Sequence, residues 1–297
     1  MNLEALMTEQ RNKKTMQMDD MSIRQIIEVM NEEDMYVVHA VKKAIPQIES
    51  LIGCAVKALS SSGRIIYVGA GTSGRLGILD AVECPPTFGV SYDTVVGVIA
   101  GGDNAFVKAK EGAEDSVEEG AEDLKKINLT EKDLVIGLTA SGRTPYAIGA
   151  VKYARDMGCV TGAISCNPNA EISAYVDAAV ELETGPEIIS GSTRLKAGTA
   201  EKMVLNMISS ISMIRMGKTY KNFMVDLKST NYKLEQRAIN IVMKAAECSK
   251  EQAENALKAS GRDTKIAIVM LKKGCTCIEA ENRLLEAKGR VGEALQN

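Results

Sequence analysis

Ile65-Ile66-Tyr67-Val68-Gly69-Ala70-Gly71-Thr72-Ser73-Gly74 sets four apolar residues directly before a loop of glycines and hydroxyls. A short run that is apolar at every position suits a strand buried on both faces. Four more such runs follow: Thr94–Ala100, Leu134–Leu138, Val160–Ile164 and Ala178–Leu182. Between them lie stretches with helical spacing, Arg75–Val82, Phe106–Lys126 and Tyr146–Met157. Alternation of this kind implies an α/β fold, a five-stranded parallel sheet with helices on both faces.

Outward from this centre the texture is helical. Ser22 is placed to cap the run Ile23–Met30, and Val37–Leu59 repeats apolar residues at helical spacing. After Lys196 the pattern turns helical again. Ala197–Met216 is rich in Met and Leu and reads as an internal helix, Asn222–Asp226 reads as a connector, and 230–297 as three or four short helices broken at Gly261 and Gly274. The expected organisation is an N-terminal helical segment (1–60), an α/β domain (61–220) and a small C-terminal helical domain (225–297).

The 297 residues exceed one average domain, and 45% hydrophobic with 25% charged residues is enough to bury a full core. A net charge of −3 argues against nucleic acid as a partner, and the absence of Trp removes the best stacking platform. The N-terminal residues Met1–Asp20 are polar and lack the apolar core of a signal peptide, and no apolar run would span a bilayer. Seven scattered cysteines read as reduced thiols, so a cytoplasmic location is expected. Cys275-Thr276-Cys277 lacks the second pair that a zinc site would want. His39 is the one histidine, which leaves carboxylates, Lys, Tyr or Cys for acid–base work and no expected metal centre.

Gly69-Ala-Gly71-Thr-Ser-Gly74 fits the dinucleotide fingerprint G-x-G-x-x-G. An acidic residue should then end the second strand, about 20 residues on, to hold the ribose hydroxyls. That strand ends in Ala100-Gly101-Gly102, and Asp103 comes late. Thr72 and Ser73 also fill the loop where a pyrophosphate needs bare backbone. A single phosphate suits it better, held by amides at a helix N-terminus and by side-chain hydroxyls. Thr139-Ala-Ser141-Gly142-Arg143-Thr144 repeats this chemistry after the third strand. Together the two loops read as a sugar-phosphate cradle of Gly71, Thr72, Ser73, Gly74, Ser141, Gly142 and Thr144, needing no nucleotide cofactor. Helix capping is the plainer but lesser reading of either loop alone, and it weakens further for both together.

Glu83 ends the helix after the first loop, where Cys84-Pro85-Pro86 should stop it and fix the carboxylate in place. A surface glutamate at a helix end is the plainer reading. Glu114 belongs to an acidic stretch, Glu111 to Asp123, that reads as a solvated helix face.

Four blocks resemble the N-acetylmuramic acid 6-phosphate etherases: Gly69–Val90 (GAGTSGRLGILDAVECPPTFGV), Gly101–Ser116 (GGDNAFVKAKEGAEDS), Ala140–Tyr146 (ASGRTPY) and Gly185–Asn206 (GPEIISGSTRLKAGTAEKMVLN). They occur in the family's order, and flanking segments agree. Glu201 stands where the family pattern would place Gln. The resemblance implies a homodimer with the sugar-isomerase (SIS) fold, and it places the two catalytic carboxylates on Glu83 and Glu114. It implies cleavage of the lactyl ether of a 2-acetamido sugar 6-phosphate by elimination and water addition, within cell-wall recycling. Glu83 would protonate the departing oxygen and Glu114 handle the C2 proton, with neither metal nor nicotinamide required. Arg75 and Arg143 are candidates to supply charge, and as early helix residues they could equally face solvent.

Two rival readings share the fold. An aldose–ketose isomerase also abstracts a C2 proton but needs no acid at O3, which the Glu83-Cys-Pro-Pro block speaks against. The glucokinase regulatory protein, related to this family, uses the fold as a non-catalytic sensor of sugar phosphates, in a duplicated form about twice as long.

Overall fold

The structure is a computed structural model that describes residues 6–108, 110–226 and 232–296. The five apolar runs form one parallel sheet. Its strands are β1 (Ile65–Gly69), β2 (Val95–Ile99), β3 (Leu134–Leu138), β4 (Val160–Ser165) and β5 (Ala178–Glu181), in the order β2-β1-β3-β4-β5. Ile65 aligns with Val95 on one side and Leu134 on the other. Because the chain leaves β1 toward β2 and then crosses back to β3, the order reverses between β1 and β3. The crevice beyond the carboxyl ends of these two strands is where such sheets bind ligands.

Side chains alternate between the two faces of the sheet. Ile66, Val68, Val135 and Ala163 share an apolar cluster with Leu124 of α5 (Val117–Lys126) and with Tyr146, Ala147 and Val151 of α6 (Pro145–Asp156). The opposite face packs on α2 (Ile45–Ser60) and α3 (Gly71–Phe88). There a Cβ on Gly162 would meet Leu51 at 2.4 Å, and one on Gly77 would meet Tyr67 and Leu138 at 2.9 Å. Ser22 caps α1 (Ile23–Lys43) through a capping box with Gln25, as its position implied, and Pro46 sits in the first turn of α2.

By internal packing the chain divides into two units. The first comprises Met1–Val82 and Asp93–Ser209, and the second comprises Glu83–Tyr92 and Ser210–Asn297. Helix α3 passes from one to the other, and so does α7 (Lys196–Arg215). In the second unit, α8 (Tyr232–Ala246), α9 (Lys250–Ala259), α10 (Thr264–Lys273), α11 (Cys277–Glu286) and α12 (Val291–Ala294) bury Val242, Leu257, Ile268, Leu284 and Val291 in one core. Gly261 and Gly274, both at φ 63°, end α9 and α10 as their positions implied. Residues 227–231, at the start of the expected tail, lie outside the described residues. Among the described residues no helix is long and apolar enough to cross a membrane.

Three local expectations are corrected. The prolines after Glu83 do not stop α3. The helix continues through Pro85 and Pro86 to Phe88, and it ends where Gly89 (φ 65°) donates its amide to the Pro85 carbonyl. Each proline withholds one amide from the helical ladder, yet Cys84, Pro85 and Phe88 are buried, so the turn is held by packing rather than by its own bonds. The stretch Phe106–Lys126 is not one helix. It comprises a single turn, α4 (Asn104–Val107), a 3₁₀ turn (Ala113–Asp115) and α5, because Gly112 takes φ 74° ahead of the 3₁₀ turn. Finally, Asn222–Asp226 is part of a small hairpin in which β6 (Thr219–Tyr220) pairs antiparallel with β7 (Phe223–Met224).

Candidate functional site

At the carboxyl end of β1 the chain passes through Ala70 directly into α3. Gly74 gives the first amide of the helix bonded to a backbone carbonyl, that of Ala70 at 3.1 Å, so the amides of Gly71, Thr72 and Ser73 precede the helical ladder. A Cβ on Gly74 would lie 2.6 Å from the Gly69 carbonyl oxygen, so strand and helix approach too closely there for any side chain. The result is a helix N-terminus with free valence for an anion and two hydroxyls beside it.

The loop after β3 is knit around Thr139, which is buried. Its Oγ1 shares hydrogen bonds with Thr144 Oγ1 at 2.7 Å and Ser141 Oγ at 3.2 Å, and it accepts from the Gly142 amide at 3.2 Å. Gly142 sits at φ 74°, with Ala170 filling the place of its missing Cβ at 2.5 Å. Because β1 and β3 are parallel neighbours, both hydroxyl-bearing loops lie at the same, carboxyl-terminal end of the sheet. Thr72, Ser141 and Thr144 are half-buried, and Ser73 is buried.

Glu114 lies on the 3₁₀ turn beyond β2 and is exposed. It lines a cavity of about 160 Å³ together with Gly71, Arg75, Lys110 and Gly112. Arg75 gives Nε to the Phe106 carbonyl at 2.9 Å and Nη2 to that of Ala105 at 2.8 Å. Its guanidinium is therefore engaged in holding the α4 turn that walls this cavity. Glu83 belongs to the second unit, exposed on α3 between Val82 and buried Cys84. Among the described residues no group of three or more His, Cys, Asp or Glu side chains could hold a metal ion.

Comparison with known proteins bears on what this arrangement serves. Residues 47–155 match the glucokinase regulatory protein N-terminal SIS domain, and residues 221–265 match the C-terminal lid domain of glucokinase regulatory protein. The chain is 55% identical over 294 residues to N-acetylmuramic acid 6-phosphate etherase from Geobacillus sp. (strain WCH70), covering 99% of this chain and 100% of that one. It is 57% identical over 293 residues to the protein of that name from Bacillus cereus (strain G9842), with the same coverage. The chain belongs to the N-acetylmuramic acid 6-phosphate etherase family. Phosphoheptose isomerase from Neisseria gonorrhoeae shares the fold, with a TM-score of 0.50 and 15% identity over 64% of this chain and 98% of that chain.

In this etherase-family chain two groups at the site escape a reading by motif. Thr139, the hub of the second loop, carries no signal beyond its place at a strand end. Glu201, on α7, accepts from Ser73 Oγ at 2.9 Å. It is 1% exposed, and its second carboxyl oxygen is buried with no hydrogen-bond partner among the described residues. Burial pushes its carboxyl up to about 8, against the pull of the Ser73 hydroxyl. The departure from Gln at this position was visible in the sequence, but its contact with Ser73 was not.

Proposed function

We propose that this chain cleaves the lactyl ether of N-acetylmuramic acid 6-phosphate to N-acetylglucosamine 6-phosphate and D-lactate, by elimination followed by addition of water. The observation that carries the reading is the cavity in which Glu114 faces the N-terminus of α3 at Gly71. A carboxylate and an anion-binding helix end within one small cavity suit proton abstraction from a phosphorylated sugar. Membership of the etherase family supports the choice of bond.

An alkyl ether resists water, so the sugar must be activated. In the ring-opened form C1 is an aldehyde and the C2 hydrogen is acidic. Glu114 removes that proton. The C2–H electrons form the C2–C3 double bond, and the C3–O bond breaks toward the lactyl oxygen, which Glu83 protonates. Water then adds to C3 and a proton returns to C2. The phosphate rests on the amides at the start of α3 and on the hydroxyls of Thr72, Ser73, Ser141 and Thr144. Gly71, Gly74 and Gly142 give the backbone its close approach. The chemistry as written draws on no metal and no nicotinamide.

The same proposal includes residues 61–220 as the sugar-phosphate domain beside N-terminal (1–60) and C-terminal (225–297) helical parts, a cytoplasmic setting, and a homodimer. Exposed apolar side chains along α1, such as Ile23, Ile27 and Val38, support pairing with a second copy.

The deciding experiment is to run the reaction in ¹⁸O water and analyse both products. Elimination cleaves the sugar side of the ether, so label should enter O3 of the amino sugar and none the lactate hydroxyl. Labelled lactate would overturn the mechanism, and absence of lactate would overturn the activity.

A further inference from the structure

Among the described residues the Glu201 carboxyl has no counter-ion. Burial dominates its environment, and among the described residues its hydrogen bond is to Ser73. The ionisable groups on the elements around it are accounted for. Lys196, on α7 itself, is paired with Glu33, and the Glu187 carboxylate takes the amides of Lys196 and Ala197. Arg75 of α3 is committed to the carbonyls of Ala105 and Phe106, and Asp80 of α3 to Ser209 and Tyr67. Cys166, just past β4, is a buried thiol whose ionisation is opposed first by burial and then by Glu201 and Glu187. Lys202, next to Glu201 on α7, is the remaining neighbour in sequence, and it acts on Asp80. Among the described residues no cation pairs with Glu201.

An ionised carboxylate buried with one bare oxygen is costly, whereas a neutral acid leaves only a bare carbonyl. The 2.9 Å separation fits a hydrogen bond in either direction. If the proton sits on Glu201, the acid donates to Ser73 Oγ, and the Ser73 hydroxyl hydrogen is released to point elsewhere. If the proton is lost, the carboxylate takes the Ser73 hydrogen for itself and sets a negative charge behind the loop.

We propose that Glu201 is a positioning residue that works as the neutral acid, donating to Ser73 Oγ so that the Ser73 O–H is free to donate to the substrate phosphate. The proposal rests on the phosphate reading of the α3 loop. It makes substrate binding sensitive to alkaline pH through a residue that never touches the substrate. Deprotonation removes a donor and adds repulsion, so KM rises as Glu201 ionises while the chemical step is untouched.

The test is the pH dependence of KM and kcat of the full chain for N-acetylmuramic acid 6-phosphate between pH 7 and 9.5, where the phosphate is already a dianion. Wild-type KM should rise about tenfold or more, the effect of losing one hydrogen bond to a charged group, with kcat following a separate profile. In Glu201→Gln the amide still donates to Ser73 but cannot titrate, so KM should stay flat across this range. A KM that climbs in parallel in wild type and Glu201→Gln would overturn the proposal. Infrared difference spectra of the unliganded wild type give a second readout that needs no variant. A protonated-carboxyl band should vanish between pH 7 and 9.5, and its absence at pH 7 would also overturn the proposal. Ser73→Ala separates the two layers. Raised KM at pH 7 with a smaller alkaline rise than in wild type, the rise left by repulsion alone, supports both, whereas unchanged KM at pH 7 overturns the phosphate placement itself.

Discussion

Lys196 Nζ lies 2.7 Å from Glu33 Oε2, with both side chains buried, and so ties the start of α7 to α1 within the first unit. Glu33 also takes Asn12 Nδ2 at 2.8 Å and Lys14 Nζ at 3.0 Å. The backbone amides of Lys196 and Ala197 donate to Glu187, which is fully buried, so this helix end is fastened by two carboxylates. Burial pushes the Glu33 carboxyl up, but the hydrogen bonds from Lys196, Lys14 and Asn12 outweigh it and hold the group below its ordinary value.

Breaking this pair should be costly. Glu33→Gln leaves the Lys196 ammonium buried without its counter-charge, a loss on the order of 3–5 kcal/mol. Because the Glu33 carboxyl is depressed in the folded state, its contribution is present above its unfolded value of 4.5 and lost as pH falls below that. Urea denaturation should therefore show the difference between wild type and Glu33→Gln shrinking from pH 7 toward pH 3. A difference that is constant with pH would show that the pair does not control stability.

The hydroxyls of the cradle are tested by Ser73→Ala combined with Ser141→Ala. Each hydrogen bond to a charged phosphate is worth about 1.5–3 kcal/mol, so KM should rise at least tenfold, and by more than about a hundredfold if both bonds are lost in full. Ser73→Ala also strips Glu201 of its partner, so thermal melting of the unliganded protein should fall in Ser73→Ala more than in Ser141→Ala. An unchanged KM in the double variant would place the phosphate elsewhere.

The two carboxylates should separate in D₂O. Glu114→Gln removes the proposed base and should suppress deuterium entry at C2. Glu83→Gln removes the proposed acid at the leaving oxygen, so lactate release should stop while slow C2 exchange persists. Each substitution should cost about two to four orders of magnitude in turnover. Wild-type exchange in Glu114→Gln would remove that residue from the role of base and leave the elimination itself standing.

The glycine-rich loop should reject dinucleotides. Ser73 and Thr72 occupy the loop, and the turn after β2 presents Gly101 and Gly102 where a ribose-binding carboxylate would stand. N-acetylglucosamine 6-phosphate should raise the melting temperature by several degrees, as for any ligand well above its Kd. NAD and NADP should leave it unchanged, and activity should survive EDTA. Stabilisation by NAD without stabilisation by the sugar phosphate would reverse the reading of the loop.

The sequence alone determined the order of strands and helices along the chain and the positions of the two hydroxyl-bearing loops that follow β1 and β3. These are local matters. A run such as Leu134–Leu138 is apolar at every position because both its faces are covered, and Ser22, Gly261 and Gly274 act through dihedral angles and hydrogen bonds a few residues away. What the tertiary structure decided lies between distant residues or against local preference. Helix α3 runs through two prolines because burial of Cys84, Pro85 and Phe88 outweighs the missing amides. Glu114 sits on a 3₁₀ turn rather than a solvated helix because Gly112 turns the chain toward the cavity it lines. Ser73 meets Glu201 across 128 positions, and Glu33 meets Lys196 across 163. No spacing rule couples residues so far apart. A carboxyl that is ordinary in the sequence acquires its unusual chemistry only when the fold takes its water away.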